Sequence, residues 1–455
     1  MSRKLTDNNL TEGTVWKKLL RFFLPIAAGT CIQQLYNAVD GMIVGKFVGT
    51  TALAAVGGSS SQIINLLIGF FVAVTTGASV VIAQIYGAGR EEDVQRASGN
   101  AIAVCTLMGL FLAVFGIVAS PLMLRLMKTP EDTVAGSLLY LRIYFTGVPF
   151  VLILNMESNM LRAVGDSYSP FIYMVAGCLA NIVLDTVFVV VFGWGIAGVA
   201  IATVAAQILN MALLTHRLLT TREKYRLNLG AVKLSGRYLA NMMKIGIPSG
   251  LQSSMYSVSN MIIQIAVNTL GTVVVASWAM TSKVDGIYWA VSNALGAAIT
   301  TFIGQNIGAG RIDRVKQCVK QGFILSMGIT LTLSGLIMLA GKPVLKILTD
   351  DSEVIETTYV IMGYFVPYYF TWTLIEVISA VLRGAGDAAR PVIIIGIGIC
   401  LLRVIWLFTV FARYGTLLSL CLSYVVSWSV TGIALLIYYK CGSWLENAQY
   451  KLKEK

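Results

Sequence analysis

Histidine is almost missing from this 455-residue chain, His216 being the only one. The seven cysteines stand singly, with no C-x-x-C pair. Together these absences leave no zinc ligand set and no disulfide framework. They also leave no cluster of nucleophile, base or metal ligands, so an enzyme is not expected. Charge is scarce too: 12% of residues are Asp, Glu, Lys or Arg, against about 25% in soluble domains. What fills the gap is apolar, at 56% hydrophobic residues and a mean hydropathy of +0.76. Such a chain belongs in a lipid bilayer.

A bilayer core about 30 Å thick needs about 20 apolar residues per helix. Twelve such segments run along the chain: 15–45, 52–86, 94–119, 132–163, 170–192, 195–220, 238–268, 273–307, 313–340, 352–384, 390–411 and 415–440. They are too long and too continuously apolar for the alternation of a membrane barrel. Lys17, Lys18 and Arg21 lead into a first segment longer than the apolar region of a cleavable signal.

The net charge of +12 invites a nucleic-acid reading, and its distribution argues against one. With a cytoplasmic N-terminus, 25 of the 34 Lys and Arg fall on inner segments and 6 on outer loops. That asymmetry is the positive-inside rule. It predicts a multi-pass protein of the cell inner (plasma) membrane with both termini cytoplasmic and no nucleic-acid partner.

The chain also repeats itself. Gly87-Ala88-Gly89-Arg90 returns as Gly308-Ala309-Gly310-Arg311, and Leu161-Arg162-Ala163-Val164-Gly165-Asp166 returns as Leu382-Arg383-Gly384-Ala385-Gly386-Asp387, both 221 positions later. Pro25 aligns with Pro248, and Asn37 with Asn260. Six spans per half is an even number, so the halves enter the membrane in the same sense, related by a pseudo-twofold axis along its normal. The predicted fold is an all-α integral membrane protein of twelve transmembrane helices in two six-helix lobes. Its parts are a cytoplasmic tail at 1–14, an N-lobe at 15–220, a linker at 221–237, a C-lobe at 238–440 and a second tail at 441–455. The repeated motifs themselves read as tight turns, with glycines stopping one helix and acids or a Ser169-Pro170 start opening the next.

Polar residues inside spans carry the functional signal. Gln33, Tyr36, Asn37 and Asp40 share one face of the first span, and Asn181 and Asp185 one face of the fifth. A carboxylate at mid-membrane costs about 2.5–3.5 kcal/mol on insertion scales, so Asp40 and Asp185 call for a proton, a bound cation or hydroxyl partners. Tyr140, Asn155 and Glu157 in the fourth span are candidates for a cavity wall. In the second half the candidates are Asn260, Asp285 and Trp289, with Tyr368, Trp372 and Glu376 spaced i, i+4, i+8 in the tenth span. Aromatic faces beside an acid suit an organic cation. Asp40 has Ile263 at its repeat equivalent, and Asn181 and Asp185 have Leu402 and Trp406. The copies therefore differ where the chemistry is expected.

These features resemble the multidrug and toxic compound extrusion (MATE) family over about residues 15–440. The resemblance rests on Leu35-Tyr36-Asn37-Ala38-Val39-Asp40, the Gln84–Arg90 turn, the two L-R-x-x-G-D turns and the N-x-x-x-D of Asn181 and Asp185. It implies an alternating-access antiporter that expels amphipathic, often cationic small molecules against proton or sodium entry, with no cofactor. Ion coupling, or a sodium ion, would fall on Asp40, Asn181 and Asp185 with Tyr36 and Asn37 beside them, as in the branch whose cation site is in the N-lobe. By the same resemblance Pro25, and its counterpart Pro248, are hinge candidates. The expected form is a monomer. An alternative is a flippase for lipid-linked precursors, which would need a cationic central cavity.

Overall fold

The computed structural model describes residues 9–223 and 225–453; the outer parts of both predicted tails, 1–8 and 454–455, lie outside them. Among the described residues there is no strand. The helices are α1 (Val15–Ile43), α2 (Thr50–Gly87), α3 (Glu91–Leu126), α4 (Glu131–Ala163), α5 (Tyr168–Val191) and α6 (Gly195–Thr220). A second series follows: α7 (Gly236–Asn268), α8 (Thr272–Gly308), α9 (Ile312–Leu348), α10 (Ser352–Gly384), α11 (Ala389–Tyr414) and α12 (Leu417–Cys441). A short α13 (Trp444–Lys453) closes the described chain, in what the sequence reads as tail.

Ten of these helices are long and apolar enough to cross a membrane by composition alone. The two that fall short, α1 and α7, are 29 and 33 residues long and open the two halves. Their shortfall is the polar stripe each carries. Along α3, Leu107, Phe111, Val114, Val118 and Leu122 are all exposed and recur every three or four residues, a strip suited to lipid contact.

The sequence repeat is also a backbone repeat. Gly89 and Gly310 take φ of 72° and 68°, and Gly165 and Gly386 take 93° and 83°, a region costly for any residue with a Cβ. Inside the turn Asp166 accepts hydrogen bonds from the Ser169 N–H at 2.9 Å and the Ser169 hydroxyl at 2.6 Å. The N-cap position of α5 is thus Ser167, not Ser169, because the helix begins earlier, at Tyr168, and Asp166 just before it supplies the side-chain acceptor. π-helical stretches repeat as well, at Thr186–Val191 and Leu407–Phe411. The first begins directly after Asp185, and such bulges are frequent at functional sites.

Contacts divide the chain into two compact units, and they redraw the domain boundaries read from sequence. The first unit holds Leu24–Ser253, and the second holds Leu10–Phe23 together with the residues from Ser254 onward. Both α1 and α7 therefore change unit partway along, α1 at the residue before Pro25. In the second unit the opening segment is fastened by Arg314, whose guanidinium donates to the carbonyls of Leu10, Glu12 and Gly13 at 2.7–3.1 Å and to Asn306 Oδ1 at 3.1 Å. Gln321 Oε1 accepts the Trp16 N–H at 2.9 Å, and Leu10, Val15 and Leu19 are buried. In the first unit Gly246 of α7 meets α2 backbone to backbone: a Cβ there would lie 2.5 Å from the Val74 carbonyl oxygen, and Gly77 faces the same contact from the other side.

Candidate ion and substrate site

The first unit contains a cavity of about 330 Å³ walled by α1, α2, α4, α5 and α6. From α1 come Gln33 and Tyr36, and from α5 come Cys178 and Asn181, each set on one helical face as its spacing requires. Asn155 of α4 lines it too, its Nδ2 donating to the Val151 carbonyl at 2.8 Å.

Asp40 and Asp185 stand beside this cavity and reach each other, carboxyl to carboxyl. Asp185 is fully buried, Asn181 is 1% exposed, and Tyr36 adjoins both acids. Two carboxylates are acceptors only, so they can bond to each other only when one carries a proton. In keeping with that, Asp40 Oδ1 and both Asp185 oxygens have no hydrogen-bond donor among the described residues. Asn181 likewise has neither its Nδ2 nor its Oδ1 engaged. Two carboxylates and an amide oxygen are hard donors that fit a proton or sodium and not a soft metal. Tyr140 is buried, its ring tilted against that of Tyr144 at a centroid distance of 5.9 Å, close to the acids.

Two first-half expectations are corrected. Asn37 is not on the cavity wall, since one residue of helix turns it 100° from Tyr36. Glu157 does not line the cavity; it is 1% exposed and accepts a hydrogen bond from the Thr215 hydroxyl of α6. The cavity also draws on Asn65, Gln207 and Asn210, which the sequence reading passed over. Thr203, Gln207 and Asn210 lie at i, i+4 and i+7 on α6, so the signal was there.

The second unit holds a different interior. Trp289, Trp372 and Trp428 meet edge to face at centroid distances of 4.9–6.2 Å, and Asp285 lies beside the Tyr369 hydroxyl. Arg403 is buried, its guanidinium carbon 3.9 Å from the Tyr424 ring centre, its Nε donating to Ser427 Oγ at 2.9 Å. Tyr368 does not join this group and is 42% exposed. A 3-10 turn at Val366–Tyr368, around Pro367, shifts the register so that Tyr369 points inward instead. Glu376 is pressed against Gly296 of α8, which has no side chain to keep it away. Asn260 is exposed on α7.

Two repeated sets of membrane-length helices and an acid pair near an interior cavity are the marks of a membrane transporter. The MatE family model matches the chain twice, over residues 25–187 and 248–409, and the protein belongs to this family of efflux transporters. Among similar proteins, the Bacillus subtilis "Probable multidrug resistance protein YoeA" is 28% identical over 397 residues, 86% of each chain. The B. subtilis "Probable multidrug resistance protein YpnP" is 27% identical over 96% of this chain and 97% of its own. Among solved structures, a MATE in complex with MaL6 superposes with a TM-score of 0.89 at 21% identity, over 99% of this chain and 100% of its own. An outward-facing multidrug resistance MATE transporter gives 0.88 at 21% identity, over 98% of both chains. They share the two-lobe, twelve-helix fold.

Proposed function

We propose that this transporter is a cation-coupled antiporter: protons or sodium ions bind at Asp40 and Asp185, with Asn181 as a third donor, and drive amphipathic, cationic small molecules out of the cell by alternating access. The observation that carries the reading is the carboxyl pair itself. Buried oxygens without donors are costly, and two like charges at close range repel. A proton or cation relieves both, so occupancy of the pair changes the free energy of the first unit. Substrate in the adjoining cavity competes with the same ion for the same negative charge, which makes the two exclusive. In this reading the positive-inside pattern orients the protein with both termini cytoplasmic, and one chain suffices for the cycle.

The flippase alternative lacks support: no lysine, arginine or histidine lines the cavity, and phosphate head groups call for cationic contacts. The test is ethidium efflux from proteoliposomes under an imposed proton or sodium gradient. Wild type should exchange with one of the ions, and Asp40→Asn should lose exchange while eluting and melting as a folded protein. Undiminished exchange by Asp40→Asn refutes the proposal.

A further inference from the structure

One buried acid of the first unit belongs neither to the cavity wall nor to the acid pair. Glu157 of α4 is 1% exposed, and its Oε2 has no hydrogen-bond donor among the described residues. The helices packed on α4 are α2, α3, α5 and α6, and among the described residues no titratable or charged group on any of them bears on Glu157. Arg162 of α4 itself is five residues along and turned about 140° away. His216, beside Thr215 on α6, is exposed. A lone carboxylate in such a place is costly, and packing alone would be served as well by glutamine.

The partner of Glu157 makes the site reversible. The Thr215 hydroxyl of α6 stands within hydrogen-bond distance of both Glu157 Oε1 and the Met211 carbonyl, the latter at 2.9 Å. A hydroxyl has one proton, free to rotate, and two lone pairs. With Glu157 ionised, that proton turns to the carboxylate; with Glu157 protonated, it turns to Met211 and the hydroxyl oxygen accepts from the carboxyl. Either charge state therefore keeps a hydrogen bond, and the change needs no movement of α4 or α6.

The height of Glu157 in the membrane is the second observation. At about 1.5 Å per residue it lies about 9 Å from the end of α4 at Ala163, whereas Asp185 lies about 25 Å from the start of α5 at Tyr168. The turn at 164–167 joins those two ends. In the orientation proposed above both ends are cytoplasmic, so Glu157 is the inner acid and the Asp40–Asp185 pair the outer one. The cavity lies between them: Leu154, one turn before Glu157 on α4, lines it, and so does Asn181, one turn before Asp185 on α5. Free of substrate, its volume of about 330 Å³ has room for several waters at about 30 Å³ each.

From this we infer that Glu157 is a second proton site, the acid through which protons taken up at Asp40 and Asp185 leave to the cytoplasm. Glu157 gives its proton to cytoplasmic water, and the carboxylate left behind is refilled from the acid pair through water in the emptied cavity. The inference rests on the antiport reading and commits it to protons at the inner end.

The test is proton-driven ethidium exchange in proteoliposomes of the full-length protein, read beside ethidium binding to the purified protein in detergent. Glu157→Gln keeps the size and a hydrogen bond to Thr215 but has no proton to release; Glu157→Asp keeps the proton and is one methylene short. A structural role predicts that glutamine is tolerated and aspartate is harmful. The proton role predicts the reverse. Glu157→Gln should slow driven exchange by about tenfold or more and bind ethidium as wild type does, and Glu157→Asp should keep most of the exchange. Undiminished driven exchange by Glu157→Gln, or slower exchange by Glu157→Asp than by Glu157→Gln, overturns the inference. Where Glu157→Gln fails to fold, Thr215→Val decides: it removes the rotating hydroxyl and should slow driven exchange, and a rate equal to wild type overturns the inference. Wild-type exchange driven by sodium and not by protons sinks the proton exit and leaves the antiport reading standing. Full exchange by Asp40→Asn sinks the antiport reading, and a slowed Glu157→Gln beside it would still mark Glu157 as a proton site.

Discussion

Asparagine at position 185 changes one carboxylate oxygen into an N–H donor at nearly constant size, and the structure gives the consequence a sign. With both acids ionised, three buried oxygens lack donors: Asp40 Oδ1 and the two of Asp185. Asp185→Asn removes one of these acceptors and offers its new N–H to Asp40, so two of the three unsatisfied groups disappear. A buried unsatisfied group costs about 1–3 kcal/mol. At the low end, the variant should be more stable than wild type by about 2 kcal/mol, while coupled exchange is lost. Ordinary helix glue behaves the opposite way, losing stability when a partner is removed. The assay is a melt followed with a thiol-reactive dye, since Cys105, Cys178, Cys318, Cys400 and Cys421 are free and buried and become labelled on unfolding. A lowered melting point together with retained exchange would show that the pair is structural and that the reasoning is wrong.

Two further outcomes are read by the same melt. Gly246→Ala inserts a methyl group 2.5 Å from the Val74 carbonyl oxygen; backbone cannot step aside as a side chain can, and the variant should lose about 1–3 kcal/mol. No measurable change would mean the α2–α7 contact is looser than described. Arg314→Ala removes every guanidinium contact to Leu10, Glu12, Gly13 and Asn306, and should cost about 2–4 kcal/mol and speed proteolysis near residue 10. Arg314→Lys should recover only part, because an ammonium cannot reproduce the planar fork.

The repeat was legible because it is local: each motif encodes its own turn, and the glycine φ values agree between copies. The acid pair was legible because carboxylates inside apolar helices are expensive wherever their helices pack. What escaped the sequence depended on neighbours or on exact rotation. Asn37 and Gln33 are four residues apart on one stripe, yet only Gln33 lines the cavity. Tyr368 lost its place to Tyr369 through the three-residue turn at Val366–Tyr368. Glu376 read as a free acid in an aromatic stripe, but its position is set by a glycine on another helix, 80 residues earlier in the chain. Arg403 stands among apolar neighbours in the sequence, and its setting over Tyr424 requires α11 and α12 together.

The exchange of leading segments means that the unit of duplication is not the unit of folding. A chain severed between Thr220 and Gly236 would give two fragments, each missing the stretch that completes its own compact unit and each carrying the stretch that completes the other. Residues 10–23 finish the later half, and residues 236–253 finish the earlier one. Two separate half-length chains that traded these arms would form a segment-swapped dimer, and joining them end to end would yield the present topology. Neither sequence half is thus, by itself, a complete compact unit.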